Sequence, residues 1–321
     1  MSGLYPLKLK YAASTAIWGG ERLKKEWGKQ SELSPLAETW ELSVRGDGMM
    51  SYIENGELAG LTLKEYIETV GNSCVSDTYD GGRFPLLIKF IDAETDLSVQ
   101  VHPDDKYARE TANDSGKTEM WYIVDAKDGA EIVCGLADGV SRENFFDAVK
   151  KNEYSRVLKR VKVRRGESYF IPAGLAHAIC GGILIAEIQQ NSDLTYRIYD
   201  YDRVGADGKK RQLHVQEALD VVRPFREDEI DAVRYENGGK DDPECLAGSK
   251  YFSVFKITLD GKRELFAAKE SFHCLLCVGG ETEIECCGHR ISVSRGDCIF
   301  VPAGTGAYSI VGKAELLLSR L

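Results

Sequence analysis

Arg165-Gly-Glu-Ser-Tyr-Phe-Ile-Pro-Ala-Gly174 occurs again, 130 residues further on, as Arg295-Gly-Asp-Cys-Ile-Phe-Val-Pro-Ala-Gly304. Six of the ten positions are identical, and Glu/Asp and Ile/Val are close exchanges. A glycine turn, a short apolar run and a Pro-Ala-Gly turn punctuate a β-strand between two tight corners. Upstream, Glu131-Ile132 matches Glu283-Ile284 at an offset of 152, so the first copy holds 22 more residues between its two matches. The stretch from about Ser141 to Val161 reads as helical, with Phe145, Phe146, Val149 and Val157 as apolar positions, and fits that excess. One β unit is therefore present twice.

Most of the remaining chain reads as short strands separated by turns, among them Phe84–Phe90, Leu97–Val101, Met120–Val124, Ile183–Ile188, Tyr251–Leu259 and Cys274–Val278. Thr62-Leu-Lys-Glu65 is a capping box opening a helix that Gly71 stops, and a further helix is expected at about Val215–Val222, before Pro224. This pattern resembles the small jelly-roll barrel of the cupin type. The expectation is a mainly β fold: two cupin-type jelly-roll barrels with a few helices in the N-terminal part. Pro224-Phe-Arg-Glu-Asp-Glu-Ile-Asp231 and Asn237–Pro243 read as the linker. A catalytic domain is thus expected over 1–224, with helical insertions, and a second barrel without metal ligands over 225–321.

Composition excludes several classes. Glycine makes up 32 of 321 residues, 43% of residues are hydrophobic and 29% charged, as in an ordinary globular chain. The net charge of −10 repels phosphate backbones and anionic lipid, so neither nucleic acid nor a membrane is an expected partner. No apolar run reaches the ~18–20 residues needed to span a bilayer. Met1–Pro6 lacks the basic and apolar regions of a signal peptide. Nine cysteines, an odd number, read as reduced thiols of a cytoplasmic protein. Cys274 and Cys277 have the spacing of a zinc knuckle, with Cys286-Cys287 close behind, but on a strand the first two point to opposite faces.

The five histidines differ in company. Gln100 and His102, two apart in Ser98-Val-Gln-Val-His-Pro103, share one face of a strand. Glu119 opens the next strand, and His177 follows the first Pro-Ala-Gly turn. A barrel can bring these four to one interior point, where mixed N/O donors suit zinc or another first-row divalent ion. The alternative is a pair of core histidines satisfied by hydrogen bonds. The second copy weighs against it, because Ala307 stands where His177 would and Phe272-His273 has no companion ligand. His214 reads as a surface or helix-start residue, and His273 and His289 carry no assignment. Glu187–Arg203 gathers carboxylates, amides, tyrosines and two arginines, suiting either an edge strand with ion pairs or a sugar-phosphate cleft.

Gln100-Val-His102-Pro-Asp, Lys117-Thr-Glu119, Pro172-Ala-Gly-Leu-Ala-His177 and Glu187…Arg197 together resemble the type I mannose-6-phosphate isomerase (phosphomannose isomerase) family, in its short bacterial form. The likeness runs from Trp18-Gly-Gly and Ala37-Glu-Thr-Trp40 into the second barrel. It implies one zinc ion on Gln100, His102, Glu119 and His177, and catalytic Lys117, Glu187 and Arg197. It also implies Arg203, Trp18 and Glu38 along the substrate cleft, and a sugar-phosphate substrate. The implied reaction interconverts mannose 6-phosphate and fructose 6-phosphate through an enediol-type intermediate. Three positions depart from the family pattern: Thr118 replaces a proline, Ile17 an acidic residue and Ile179 an aromatic one. None belongs to the metal set. Two other readings of the same barrels are an iron-dependent dioxygenase and a non-catalytic sugar-phosphate-binding module. Nothing in the sequence sets the oligomeric state.

Overall fold

The structure is a computed structural model that describes residues 4–205 and 208–321, so residues 1–3 of the Met1–Pro6 segment lie outside the described residues. The decapeptide repeat folds as the same strand twice, Ser168–Ile171 and Cys298–Val301, at the same four positions of each copy. Gly166 and Gly296, which turn the chain into these strands, have φ of 91° and 94°, where only glycine is unstrained. The upstream match is a hairpin in both copies: Ile132 pairs with Val161, and Ile284 with Ile291. The 22 extra residues are therefore spliced between the two strands of the first hairpin. They are less helical than expected. Ser141 caps a helix at Arg142–Lys150, a 3-10 turn follows at Tyr154–Arg156, and Leu158–Lys162 is already the returning strand. Val161 has Ile132 as a cross-strand partner, and that distant pairing overrides the helical spacing.

The first barrel is two facing antiparallel sheets. One runs in the order Ser168–Ile171, Glu119–Ala126, Ile183–Gln190, Leu86–Ala93, Glu38–Leu42 and Ala12–Ser14. The other runs Tyr196–Tyr199, Val99–Val101, His177–Ile179, Glu131–Leu136 and Leu158–Lys162. Between them, Trp18, Ile91, Trp121, Ile132, Ile179 and Ile185 form an interior cluster. Helices Arg142–Lys150 and Val215–Val221 cover the outer face of the second sheet.

The second barrel uses the same paths with fewer breaks. Strands Ser253–Ala267, His273–Cys286 and Gly306–Arg320 run without interruption where the first barrel has pairs of shorter strands. Each of these strands contains a glycine of positive φ, and two cannot be replaced without a clash. A Cβ on Gly280 would lie 2.1 Å from the Lys313 carbonyl oxygen, and one on Gly312 would lie 2.6 Å from that of Glu281.

The division expected at residue 224 is crossed by hydrogen bonding. Leu7–Lys10 pairs with Cys298–Val301 and with Tyr52–Ile53, so the N-terminal strand belongs to the C-terminal sheet. The stretch read as a linker contains a helix, Glu227–Arg234, whose first turn is acidic and whose Glu229 carboxylate accepts the Arg226 N–H. One core joins the barrels. Ile88, Phe90, Met120, Tyr122 and Phe170 on the outer face of the first sheet pack with Phe252, Phe272, Cys274, Phe300 and Leu317 of the second barrel. Cys277 and Leu275 point the other way, into the interior of the second barrel, so Cys274 and Cys277 lie on opposite faces. All nine cysteines are free thiols. Among the described residues, no helix is long and apolar enough to cross a membrane.

Phe300 is fully buried in the joint core, stacked 5.0 Å from Phe272 and edge-on to Tyr66. Phe300→Ala is expected to cost about 3–5 kcal/mol, and thermal unfolding should shift as a single transition. Two separated transitions, only one of them moved, would show that the barrels are stabilised independently.

Candidate metal centre

Pairing register delivers the side chains. Glu119, Gln189 and Leu87 lie opposite one another across three strands, and so do Trp121, Glu187, Lys89 and Trp40 across four. Directly paired residues share a face, so these polar groups all line the interior side of the six-stranded sheet. The facing sheet supplies His177, which pairs with Gln100, and Arg197, which also pairs with Gln100. His102 follows the Val99–Val101 strand and is anchored by its carbonyl, which accepts the Gly174 N–H at 2.9 Å.

His102, Glu119 and His177 converge, with one donor atom of each within 4.8 Å of the others, and all three are buried. The His102 Nδ1 lies 2.7 Å from the Leu194 carbonyl oxygen, and the His177 Nδ1 lies 2.8 Å from that of Leu175. A carbonyl only accepts, so each Nδ1 carries the proton and each Nε2 of the neutral ring presents a lone pair. Those two Nε2 atoms face each other at 3.2 Å. Glu119 adds its carboxylate, 3.2 Å from His102 Nε2 and 3.8 Å from His177 Nε2. Three electron-pair donors converge with no proton to share. A cation resolves this arrangement, and two ligands about 2.0–2.1 Å from one tetrahedral centre lie about 3.3 Å apart. The Gln100 amide, 3.4 Å from His177 Nε2, can add its oxygen once the amide is turned, an orientation set by the hydrogen-bond network.

The charge states agree with that chemistry. Burial and the nearby Lys117 ammonium hold His102 below its ordinary pKa, and burial above all pushes His177 down to about 3. Both rings are therefore neutral ligands. Burial alone would favour protonated Glu119, but the Lys117 ammonium beside it opposes burial, and the carboxyl stays well below its ordinary range. Lys117 Nζ sits 2.7 Å from Glu119 Oε1. Burial disfavours its ammonium, yet Glu119, Glu187 and Glu38 together raise its pKa. The Trp121 indole N–H donates to Glu119 Oε2 at 3.1 Å.

The other expected residues have definite surroundings of their own. Glu187 is buried, and burial followed by the Glu119 charge pushes its pKa up to about 7, against the pull of Lys117 and Lys89. Its Oε1 accepts no hydrogen bond. Glu38 accepts the Trp40 indole N–H at 2.6 Å and lies 3.6 Å from Lys89 Nζ. Trp18 packs with Trp121 in the interior cluster. Arg197 is half-buried; its Nη1 donates to the Gln212 carbonyl while its Nε has no partner. Arg203 is held by the Asp200 carboxylate and by the Asp96 carbonyl, and Arg211 pairs with the same Asp200. Lys89 did not emerge from the sequence. It lies 3.9 Å from Glu187 and over the Trp40 ring, between two carboxylates. The available signal was one lysine inside the apolar run Leu86-Leu-Ile-Lys-Phe-Ile-Asp-Ala93, every residue of which is buried.

The second barrel holds other residues at the same positions. By pairing register Glu119 corresponds to His273, Gln100 to Phe266 and His177 to Ala307. His102 corresponds to Ala268, whose carbonyl accepts from Gly304 as that of His102 does from Gly174. Glu187 corresponds to Leu318 and Lys89 to Phe255.

Comparison with known proteins converges on one family. The model for "Phosphomannose isomerase type I, catalytic domain" matches residues 6–145, and that for "Mannose-6-phosphate isomerase, cupin domain" matches residues 244–321. The chain is 37% identical to mannose-6-phosphate isomerase ManA of Bacillus subtilis, over 98% of this chain and 99% of that one. It is 33% identical to the mannose-6-phosphate isomerase of Streptococcus mutans, over 98% of both. The crystal structure of the Bacillus subtilis mannose 6-phosphate isomerase superposes with a TM-score of 0.87 at 32% identity, covering 98% and 99% of the two chains. An apo structure of the Salmonella typhimurium enzyme shares the fold at 16% identity, with a TM-score of 0.76 and 98% of each chain covered.

Trp121→Phe keeps the packing against His177 and removes the indole donor to Glu119. Metal affinity, measured by competition with a chelator, should fall about 10–100-fold with the fold intact. Unchanged affinity would show that this hydrogen bond does not orient the carboxylate.

Proposed function

The chain belongs to the type I phosphomannose isomerase family and is a mannose-6-phosphate isomerase; from that premise we propose that it works with one zinc ion on His102, His177, Glu119 and the Gln100 amide oxygen. The observation that carries the metal is the pair of unprotonated Nε2 atoms facing each other at 3.2 Å beside a buried carboxylate. Zinc in such a site is a Lewis acid that draws electron density from a sugar oxygen. The substrate reading is the exchange of mannose 6-phosphate with fructose 6-phosphate, which moves a proton from C2 to C1 through an enediol-type intermediate.

The residues divide that work. Glu187, buried with an unpartnered Oε1 and a pKa of about 7, exchanges one proton readily near neutrality, as the transfer from C2 to C1 requires. Lys89 on one side of it and Lys117 toward the metal ligands keep cations beside the developing negative oxygen. Arg197, opposite Gln100 in register, adds its guanidinium from the other sheet. Arg197, Arg203 and Arg211 gather around a single carboxylate, Asp200, and the cationic excess suits the substrate phosphate. Trp18 and Glu38 line the cleft on the side of the six-stranded sheet.

The direct test is a coupled assay for fructose 6-phosphate formed from mannose 6-phosphate. Activity should vanish with a chelator and return with zinc, and His177→Ala should lose both bound zinc and turnover. Retention of both in that variant would remove the metal from the reaction. For Glu187 the carboxylate form is the active base, so kcat/KM should fall about tenfold per pH unit below pH 7. Glu187→Gln should lower kcat by about 10²–10⁴-fold, erase that acid limb and leave zinc content unchanged. An unaltered pH profile would assign the proton transfer elsewhere.

A further inference from the structure

A run of hydrogen bonds leads from the second barrel to the segment that carries Lys117 and Glu119. Strands Cys245–Gly248 and Ser253–Ala267 are joined by a turn in which the Ser249 hydroxyl oxygen accepts the N–H groups of Tyr251 and Phe252, each at 3.3 Å. Phe252 is locked into the joint core, and the neighbouring Tyr251 hydroxyl donates to Asp105 Oδ2 at 2.8 Å. The other Asp105 oxygen accepts from Gln190 Nε2 at 3.1 Å and from the Gly116 N–H at 3.0 Å. Gln190 Oε1 in turn accepts the Thr118 N–H at 2.9 Å, and the Gln190 N–H donates to the Thr118 carbonyl at 3.1 Å. A carboxylate only accepts and a backbone N–H only donates, so the Gln190 amide has a single orientation. The approach is close: a Cβ on Gly116 would lie 2.5 Å from the Asp105 backbone nitrogen. Gln190 and Thr118 are both buried.

We propose that Tyr251 is a positioning residue for the isomerase reaction, acting through Asp105 and Gln190 on the backbone of Thr118. Thr118 stands between Lys117 and Glu119, whose Nζ and Oε1 meet at 2.7 Å. Gln190 grips both the N–H and the C=O of Thr118, so this residue cannot turn without breaking two buried hydrogen bonds. A buried group left unpaired bears its full desolvation penalty, which holds the segment in one register. Burial would raise the Asp105 pKa, but the bonds from Tyr251, Gln190 and Gly116 outweigh it and keep the carboxyl below its ordinary range. Burial and then Asp105 push the Tyr251 phenol up, so it remains a donor. The ionised carboxylate makes its three bonds charge-assisted and hence strong. The second barrel, which supplies none of the donors His102, Glu119 and His177, thereby sets the position of two groups of the catalytic centre. The proposal rests on the reading of Lys117 and Glu119 given above.

The test measures kcat, KM and zinc affinity on the full chain, the last by competition with a chelator. Tyr251→Phe keeps the ring and removes the hydroxyl. It should lower kcat and zinc affinity about tenfold each and leave KM for mannose 6-phosphate unchanged. Asp105→Ala should match it, whereas Asp105→Asn, which can accept from Gln190 and donate to Tyr251, should recover most of the loss. In a Gln190→Met background, where the run is already cut, Tyr251→Phe should change neither quantity further. A role in stability alone would lower the melting temperature of Tyr251→Phe while kcat and zinc affinity of the folded protein stay unmoved, and that result would overturn the proposal. So would losses that multiply when Tyr251→Phe and Gln190→Met are combined. A wild type that turns over without bound zinc would instead overturn the metal reading, and the proposal with it.

Discussion

Glu119 has no exposed surface and stays ionised. A buried carboxylate is tolerated only when cations and hydrogen-bond donors surround it, and the first barrel is arranged to meet that requirement. Lys117 approaches one carboxylate oxygen and the Trp121 indole N–H donates to the other; the lone pairs of two neutral imidazoles also face it, a repulsion that a bound cation would relieve. The imidazoles hold that orientation because two backbone carbonyls have claimed their Nδ1 protons. Those carbonyls belong to Leu175 and Leu194, loop residues placed by the strands on either side. The metal centre is thus set by backbone geometry at one remove.

The second barrel separates the demands of folding from those of chemistry. It follows the same strand paths with Leu318 and Phe255 where the first barrel has Glu187 and Lys89. An apolar interior closes such a barrel well: Leu275, Ile299, Ile310, Leu316 and Leu318 fill it. Folding alone does not ask for Lys89, Lys117, Glu119 and Glu187 inside the first barrel. Burying them is destabilising unless each is paired, and their presence marks the cavity as functional. The joint core, with Phe90, Phe170, Phe272 and Phe300, offsets that burden by coupling the charged barrel to the apolar one.

Much of this was legible in the sequence because it is local. The repeat predicted a strand in each copy, at 169–171 and 298–301, and an insertion of 22 residues in the first copy, since turn glycines and apolar runs are short-range signals. Gln100, His102, Glu119 and His177 were readable from strand alternation and turn chemistry. What escaped depends on partners distant in the chain. Lys89 is invisible as a site residue until Glu187 and Trp40 are placed beside it in register. Leu158–Lys162 looked helical until Ile132 supplied its cross-strand partner, and Leu7–Lys10 joins a sheet formed almost 300 residues later. The helix at 227–234 was hidden because it is short and acidic at the start, with only Ile230, Ala232 and Val233 apolar, a composition a linker also has.

The central claim is that one cation joins the two facing imidazole nitrogens to Glu119. Anomalous diffraction at the zinc edge from crystals of the purified enzyme tests it most directly. The account predicts a single strong anomalous peak between His102 Nε2, His177 Nε2 and the Glu119 carboxylate, with the Gln100 amide oxygen turned toward it. A fully active crystal form with no peak there, or with its zinc bound only elsewhere in the chain, would contradict it.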